Sequence, residues 1–206
     1  MSLDGYTAGP LQSVKHPLGV GGERLHAWVF PLAAFRKLLG IGDDGEVNES
    51  TPIVEEQFVN VGASVMGRNM FGGQPGPWST ENPWTGWWGK SPPFHHPVFV
   101  VTHHARPPLE MEGGTTFHFV TTGLESALEQ AKRAAGGKDV SVGGGAATVR
   151  YFLMHGLIDD MVLSIAPVLL GAGERLFDGA GHDLHGLALT RTIAAPNVTH
   201  LIFKRR

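Results

Sequence analysis

Cysteine is absent from all 206 residues. That excludes disulfides, thiolate nucleophiles and cysteine-ligated zinc or iron–sulfur sites, and it suits a cytoplasmic protein. An excess of basic charge is missing as well. With 16 Lys and Arg against 19 Asp and Glu, the formal charge of −3 leaves no positive field for nucleic acid or an anionic membrane surface. Long hydrophobic runs are also lacking: the longest apolar stretch, residues 161–173, is broken by Ser164 and Pro167 and is too short to span a bilayer. The opening MSLDGYTAGP has neither the basic nor the apolar region of a secretory signal. No G-x-S-x-G elbow and no H-E-x-x-H helix occurs, so serine-hydrolase and zincin chemistry are not indicated. Of the 11 histidines, His95-His96 and His103-His104 are adjacent pairs, which point to opposite faces of a strand. With no tight carboxylate cluster to join them, no metal site is expected.

What the chain does have is glycine, 29 residues, and proline, 14, gathered in loops without a period. The length predicts one domain over residues 1–206 with a real core. Asp4-Gly5 reads as a turn at the end of a first strand. PLAAFRKLLG (31–40) has helical spacing, opened by Pro31 and closed by Gly40. Ser50-Thr51-Pro52 caps a second helix over 52–60, and a buried strand ends at Gly67. Residues 69–97 hold four of the five tryptophans with almost no periodicity, which predicts a long loop that either roofs a flat substrate or packs against a neighbouring subunit. Strands follow at 98–102 and 115–120, then an amphipathic helix over 123–137. DVSV, GGG and a helix to about Met154 come next, then a strand from Asp160 and a C-terminal hairpin split at Pro196-Asn197. This order predicts an α/β fold: a mixed, mainly parallel sheet, covered by helices and closed by an antiparallel C-terminal hairpin.

In such sheets ligands bind at the carboxyl ends of strands. Those ends carry Gly67-Arg68, Thr102-His103-His104, Val120-Thr121-Thr122 and Gly143-Gly144-Gly145, all small, polar or glycine. The triple glycine has two readings. It is either a tight strand-to-helix turn, or a bare-backbone cradle that lets a diphosphate approach a helix N-terminus. Arg68 and Arg106 follow neighbouring strands, and their guanidinium forks suit a phosphate monoester such as the 2′-phosphate of NADPH, although two exposed cations are the simpler alternative. Asp4 is a carboxylate that could reach a cleft, or a turn-former beside Gly5.

Several segments in order, SLDGYTAGP, GASVMGRNMFG, PVFVVTHHAR, VSVGGGAATVRYFLMHGLIDD and IAPVLLGAGERLF, resemble dihydrofolate-reductase-like proteins. In particular they resemble the reductase half of the bacterial riboflavin-biosynthesis deaminase-reductase. The resemblance implies a three-layer dihydrofolate-reductase-like domain, NADPH as cofactor, and a homodimer acting on a small molecule. It places Gly67, Arg68 and Asn69 at the cofactor's adenosine side, Thr102, His103 and Arg106 near the 2′-phosphate, and Gly143, Gly144, Gly145, Ala146 and Ala147 at the diphosphate. Asp4 falls where nicotinamide and substrate meet, to orient the substrate or relay a proton; Gly171 and Trp28 fall on the substrate side. No deaminase motif stands ahead of these segments, so a stand-alone reductase of a pterin- or aminopyrimidine-like heterocycle is expected. Dihydrofolate reduction proper, or a catalytically weak nucleotide-binding sensor or assembly protein, are the alternatives.

Overall fold

Short apolar runs punctuated by glycine and proline produce ten strands and five helices in the computed structural model, which describes residues 1–206. In chain order these are β1 (Tyr6–Ala8), α1 (Ala33–Leu38), α2 (Thr51–Glu56), β2 (Val61–Gly67), α3 (Arg68–Phe71), β3 (Pro97–Val101), β4 (Leu109–Glu110) and β5 (Thr116–Val120). They continue with α4 (Leu124–Ala135), β6 (Asp139–Val142), α5 (Ala146–Met154), β7 (Asp160–Ile165), β8 (Glu174–Arg175), β9 (Leu187–Ala195) and β10 (Val198–Arg205). The chain divides into two units: Met1–Gln57 with Val149–Arg206, and Phe58–Thr148. No helix is long and apolar enough to cross a membrane.

The Phe58–Thr148 unit is built on a five-stranded sheet of order β4-β5-β3-β2-β6. The pairs β5–β3, β3–β2 and β2–β6 are parallel, and β4 adds an antiparallel edge. Strands covered on both faces read as unbroken buried runs, and β2 does so from Ala63 to Gly67. On α4 the residues Ala127, Leu128, Ala131 and Ala135 form the buried stripe, and Gly136, at φ 59°, ends the helix in the left-handed conformation. That helix packs on β2, β3 and β6. After β2 the chain steps outward through β3 and β5, then returns past β2 to lay down β6 on its other side. The order therefore reverses between β2 and β6, and the crevice at their carboxyl ends is the topological switch point.

The tryptophan loop packs on the core of its own unit. Trp78, Trp84 and Trp88, with Phe94, pack on the buried cluster of Met66, Phe71, Val98, Val100 and Phe117 in the same unit. Trp84 Nε1 donates to the Phe71 carbonyl at 2.9 Å and Trp78 Nε1 to the His104 carbonyl at 2.8 Å. Edge-on contacts of Phe71 with Trp78 (5.7 Å) and of Trp78 with Phe119 (5.0 Å) complete an aromatic layer. The sheet is short, and these rings supply the apolar area that a longer element would otherwise bury.

In the other unit, β7-β10-β9 form an antiparallel sheet, and Pro196-Asn197 makes the β9–β10 turn with Asn197 at φ 59°. β1 pairs with β8. The Asp4-Gly5 turn precedes β1 rather than following a strand, a correction that follows from Gly5 at φ 87° leading directly into paired Tyr6. Arg205 ties the end of β10 down: it donates to Asp159 (2.7 Å), to the His185 and Gly156 carbonyls (2.9 and 2.7 Å) and to the Ile158 carbonyl.

His200 on β10 is fully buried. Its ring nitrogens bond the hydroxyls of Ser50 and Ser164, both at 2.9 Å, and Trp28 meets its ring edge-on at 4.9 Å. Burial lowers its pKa below the usual 6.5. The unfolded chain therefore takes up a proton near pH 6.5 that the folded chain refuses. Stability from this group is complete above about pH 6.5 and declines as pH falls below it. Urea unfolding of a His200→Ala variant should show a loss of roughly 1–3 kcal/mol at pH 7.5, from two stranded hydroxyls. The loss should shrink at pH 5.5, and a loss that grows on acidification would contradict a neutral buried imidazole.

Candidate functional site

At the switch point the tips of β2 and β6 are joined by two backbone hydrogen bonds. Gly143 N donates to the Val65 carbonyl at 2.8 Å, and Gly67 N donates to the Gly144 carbonyl at 2.9 Å. These bonds turn the bend Gly143–Gly144–Gly145 outward into α5, with a cis peptide between Gly144 and Gly145. Thr148 N closes the first turn onto the Gly145 carbonyl at 3.0 Å. The protein itself gives no acceptor to the amides of Gly144, Gly145, Ala146 and Ala147. Four successive N–H groups at the start of a nine-residue helix, where the dipole is positive, are thus free to donate to an anion.

Two of the glycines here are closely approached by side chains. A Cβ on Gly143 would lie 2.8 Å from Met70 Sδ, and one on Gly67 would collide with Thr148 Oγ1. Gly145 is different, because no atom lies within 4 Å of where its Cβ would be. The bend is thus packed at its root and open at its crest.

The same unit carries two guanidinium groups. Arg68, the residue after β2, lies over the Trp78 indole with Cζ 3.1 Å from the ring centroid, and its Nη2 donates to the Gln74 carbonyl at 2.7 Å. Its Nη1 is buried without a hydrogen-bond partner. Arg106 donates to the Trp84 carbonyl at 2.5 Å, and its Cζ is 5.2 Å from the centroid of Trp78 and 5.0 Å from that of Phe119. The protein's four ion pairs involve neither residue. Burial, and then the charge of Arg106, lower the Arg68 pKa to about 10. Stacking on an indole offsets part of this, by about 0.5–2 kcal/mol, and a buried donor left unpaired costs about 1–3 kcal/mol. Next to Arg106 a cleft of ≈ 550 Å³ opens between residues 77–83 and His103, His104 and Pro107.

In the other unit Asp4 accepts hydrogen bonds from Leu170 N (3.1 Å) and Gly171 N (2.7 Å). The Ser2 hydroxyl and these amides lower its pKa to about 2. The carboxylate is therefore a fixed anion that holds the 170–171 turn.

The sequence profile of the RibD C-terminal domain matches residues 1–201. The chain belongs to the RibD C-terminal domain family. Solved structures agree at the level of fold. A riboflavin biosynthesis protein of Shewanella sp. PV-4 is 22% identical, with a TM-score of 0.57 over 100% of this chain and 95% of that one. The Thermotoga maritima diaminohydroxyphosphoribosylaminopyrimidine deaminase/5-amino-6-(5-phosphoribosylamino)uracil reductase is 14% identical with a TM-score of 0.53, and Acinetobacter baumannii RibD in one form is 18% identical with a TM-score of 0.55. All of this chain aligns with each, but it spans only 54% and 55% of their lengths. No curated protein matches it. The resemblance drawn from the sequence motifs, and the α/β fold with a mainly parallel sheet and an antiparallel hairpin, both hold.

In this RibD-type domain the expected cofactor residues gather in one unit, at adjoining strand tips. Gly67, Arg68 and the bend Gly143–Ala147 meet at the switch point. Thr102 is buried at the end of β3, where its hydroxyl accepts from His104 N at 3.2 Å, and exposed His103 lines the Arg106 cleft. Asn69 is exposed on α3. Gly171, at φ 74°, is exposed and bound to Asp4. Trp28 is half-buried and engaged with His200 and the Val29, Leu32 and Val54 cluster, so its ring has a structural partner. Met70, Gln74, Trp78 and Thr148 escaped sequence reasoning, since only tertiary contacts bring them to the site. A weak signal existed for Thr148, a hydroxyl residue in the first turn after the glycines.

Gly67→Ala should lower stability by about 1–3 kcal/mol in chemical denaturation, through overpacking against Thr148. Most of that loss should vanish in a Thr148→Ala background; additive losses would show that the two do not touch. Because Asp4 is ionised throughout the neutral range, the pH–rate profile of an Asp4→Asn variant should keep the wild-type inflections at a lower overall rate. A missing inflection between pH 5 and 9 would instead make Asp4 a proton donor.

Proposed function

We propose that the protein is an NADPH-dependent reductase that delivers hydride to a small heterocycle of the pterin or aminopyrimidine type. Membership of the RibD C-terminal domain family makes it an oxidoreductase of the riboflavin-pathway kind; the choice of cofactor rests on the site. The observation that carries it is the presence, in one unit, of four backbone amides without a protein acceptor and two guanidinium groups that have no carboxylate partner, one of them holding a buried, unpartnered N–H. An anion with a diphosphate and a separate monoester fits such a surface. A neutral ligand would leave both charges uncompensated.

When bound, NADPH supplies the hydride; the protein's part is binding and orientation. Gly144 to Ala147 would accept the diphosphate through backbone N–H groups, and open Gly145 lets it come close. Arg68 and Arg106 would take the 2′-phosphate, and Thr102 and His103 would flank the adenosine. Asp4 keeps the Leu170–Gly171 turn in place, which makes it a positioning residue. One family profile spans both units, and we read residues 1–206 as one functional domain on that ground.

Fluorescence titration with NADPH and NADH tests the reading. Charge-assisted hydrogen bonds contribute about 1.5–3 kcal/mol each. Arg68→Ala should therefore weaken NADPH about 10- to 100-fold and leave NADH within about threefold. Equal losses for both dinucleotides would remove the phosphate role.

A further inference from the structure

The tryptophan loop has no part in the function proposed above, yet one of its residues touches the cation pair directly. Two guanidinium groups are held in one neighbourhood, close enough for Arg106 to depress the basicity of Arg68, and no acidic side chain neutralises either. What holds them is uncharged. The Trp78 ring lies under both Cζ atoms, at 3.1 and 5.2 Å, and the Gln74 and Trp84 carbonyls each accept one N–H. The indole is itself anchored by its own Nε1 on the His104 carbonyl and by edge contacts with Phe71 and Phe119. A carboxylate in its place would hold the arginines as firmly and cancel their field. A π face and neutral carbonyls hold them and leave the field intact for a ligand.

We propose that Trp78 is the positioning residue that sets phosphate specificity in this protein: it aligns Arg68 and Arg106 as an uncompensated pair that selects adenosine nucleotides bearing a 2′-phosphate. This rests on the cofactor reading above. Trp78 makes its contribution through the arginines, and the selectivity follows from geometry. With the ring beneath it, the Arg68 fork is confined to one plane, and its unpartnered Nη1 keeps one position. Without the ring, the two like charges separate into solvent and each retains only the ordinary attraction of an exposed cation.

Binding of adenosine 2′,5′-bisphosphate and of AMP to the full chain, measured by calorimetry, separates the possibilities without any turnover. Trp78→Leu keeps apolar bulk against Phe71 and Phe119 but removes the π face; Trp78→Phe keeps a smaller one. Wild type should prefer the bisphosphate by at least about tenfold. Trp78→Leu should lose most of that preference while holding AMP as before, and Trp78→Phe should restore it to within about threefold. Retention of the full preference by Trp78→Leu, or an equal loss of both nucleotides, would overturn the inference and leave the cofactor reading standing. A wild type that binds both nucleotides alike, or neither, would overturn both.

Discussion

Two backbone hydrogen bonds between strand tips, Gly143 N to Val65 O and Gly67 N to Gly144 O, are the constraint on which the site depends. They consume the donor of Gly143 and the acceptor of Gly144, so the chain must turn outward before it can start α5. The amides from Gly144 to Ala147 are left without a protein acceptor. Both bonds need the β2 and β6 backbones close together. A Cβ on Gly67 would run into Thr148 and one on Gly143 would displace the end of Met70, so both glycines suit the packing at these tips. Switch-point topology places the bend, and glycine packing sets its depth.

Charge is managed differently in the two units. Asp4 is compensated by donors: two backbone amides and a serine hydroxyl stabilise the anion so well that it has no proton to offer near neutrality. Arg68 and Arg106 receive neutral acceptors and aromatic faces but no opposite charge. The first arrangement is closed and structural. The second retains an electrostatic demand that an anion from outside can meet, and this asymmetry is why the arginines read as a binding element.

The aromatic loop links packing to that electrostatics. A five-stranded sheet with short strands has little apolar area of its own, and Trp78, Trp84 and Trp88 extend its core over Phe71 and Phe117. One of these rings, Trp78, also lies against the cations, because an indole offers an apolar edge to the core and a negative face to a guanidinium. Stability and ligand preference therefore share residues in this loop.

Read alone, the sequence determined the central parallel strands, the long helix and the glycine bend. The β2 run from Ala63 to Gly67, the stripe on α4 and the Pro196-Asn197 turn are local signals, written in spacing and in residues with restricted backbones. It also determined which residues stand at the strand tips, since any parallel sheet brings those ends to one edge. It could not say what occupies the arginines, that Trp28 belongs to the surroundings of a buried histidine, or that Asp4 spends its lone pairs on a turn 166 residues away. Those outcomes depend on contacts between segments remote in the chain. The directions and partners of long side chains are set by packing, which has no local code. Only the folded structure decided them.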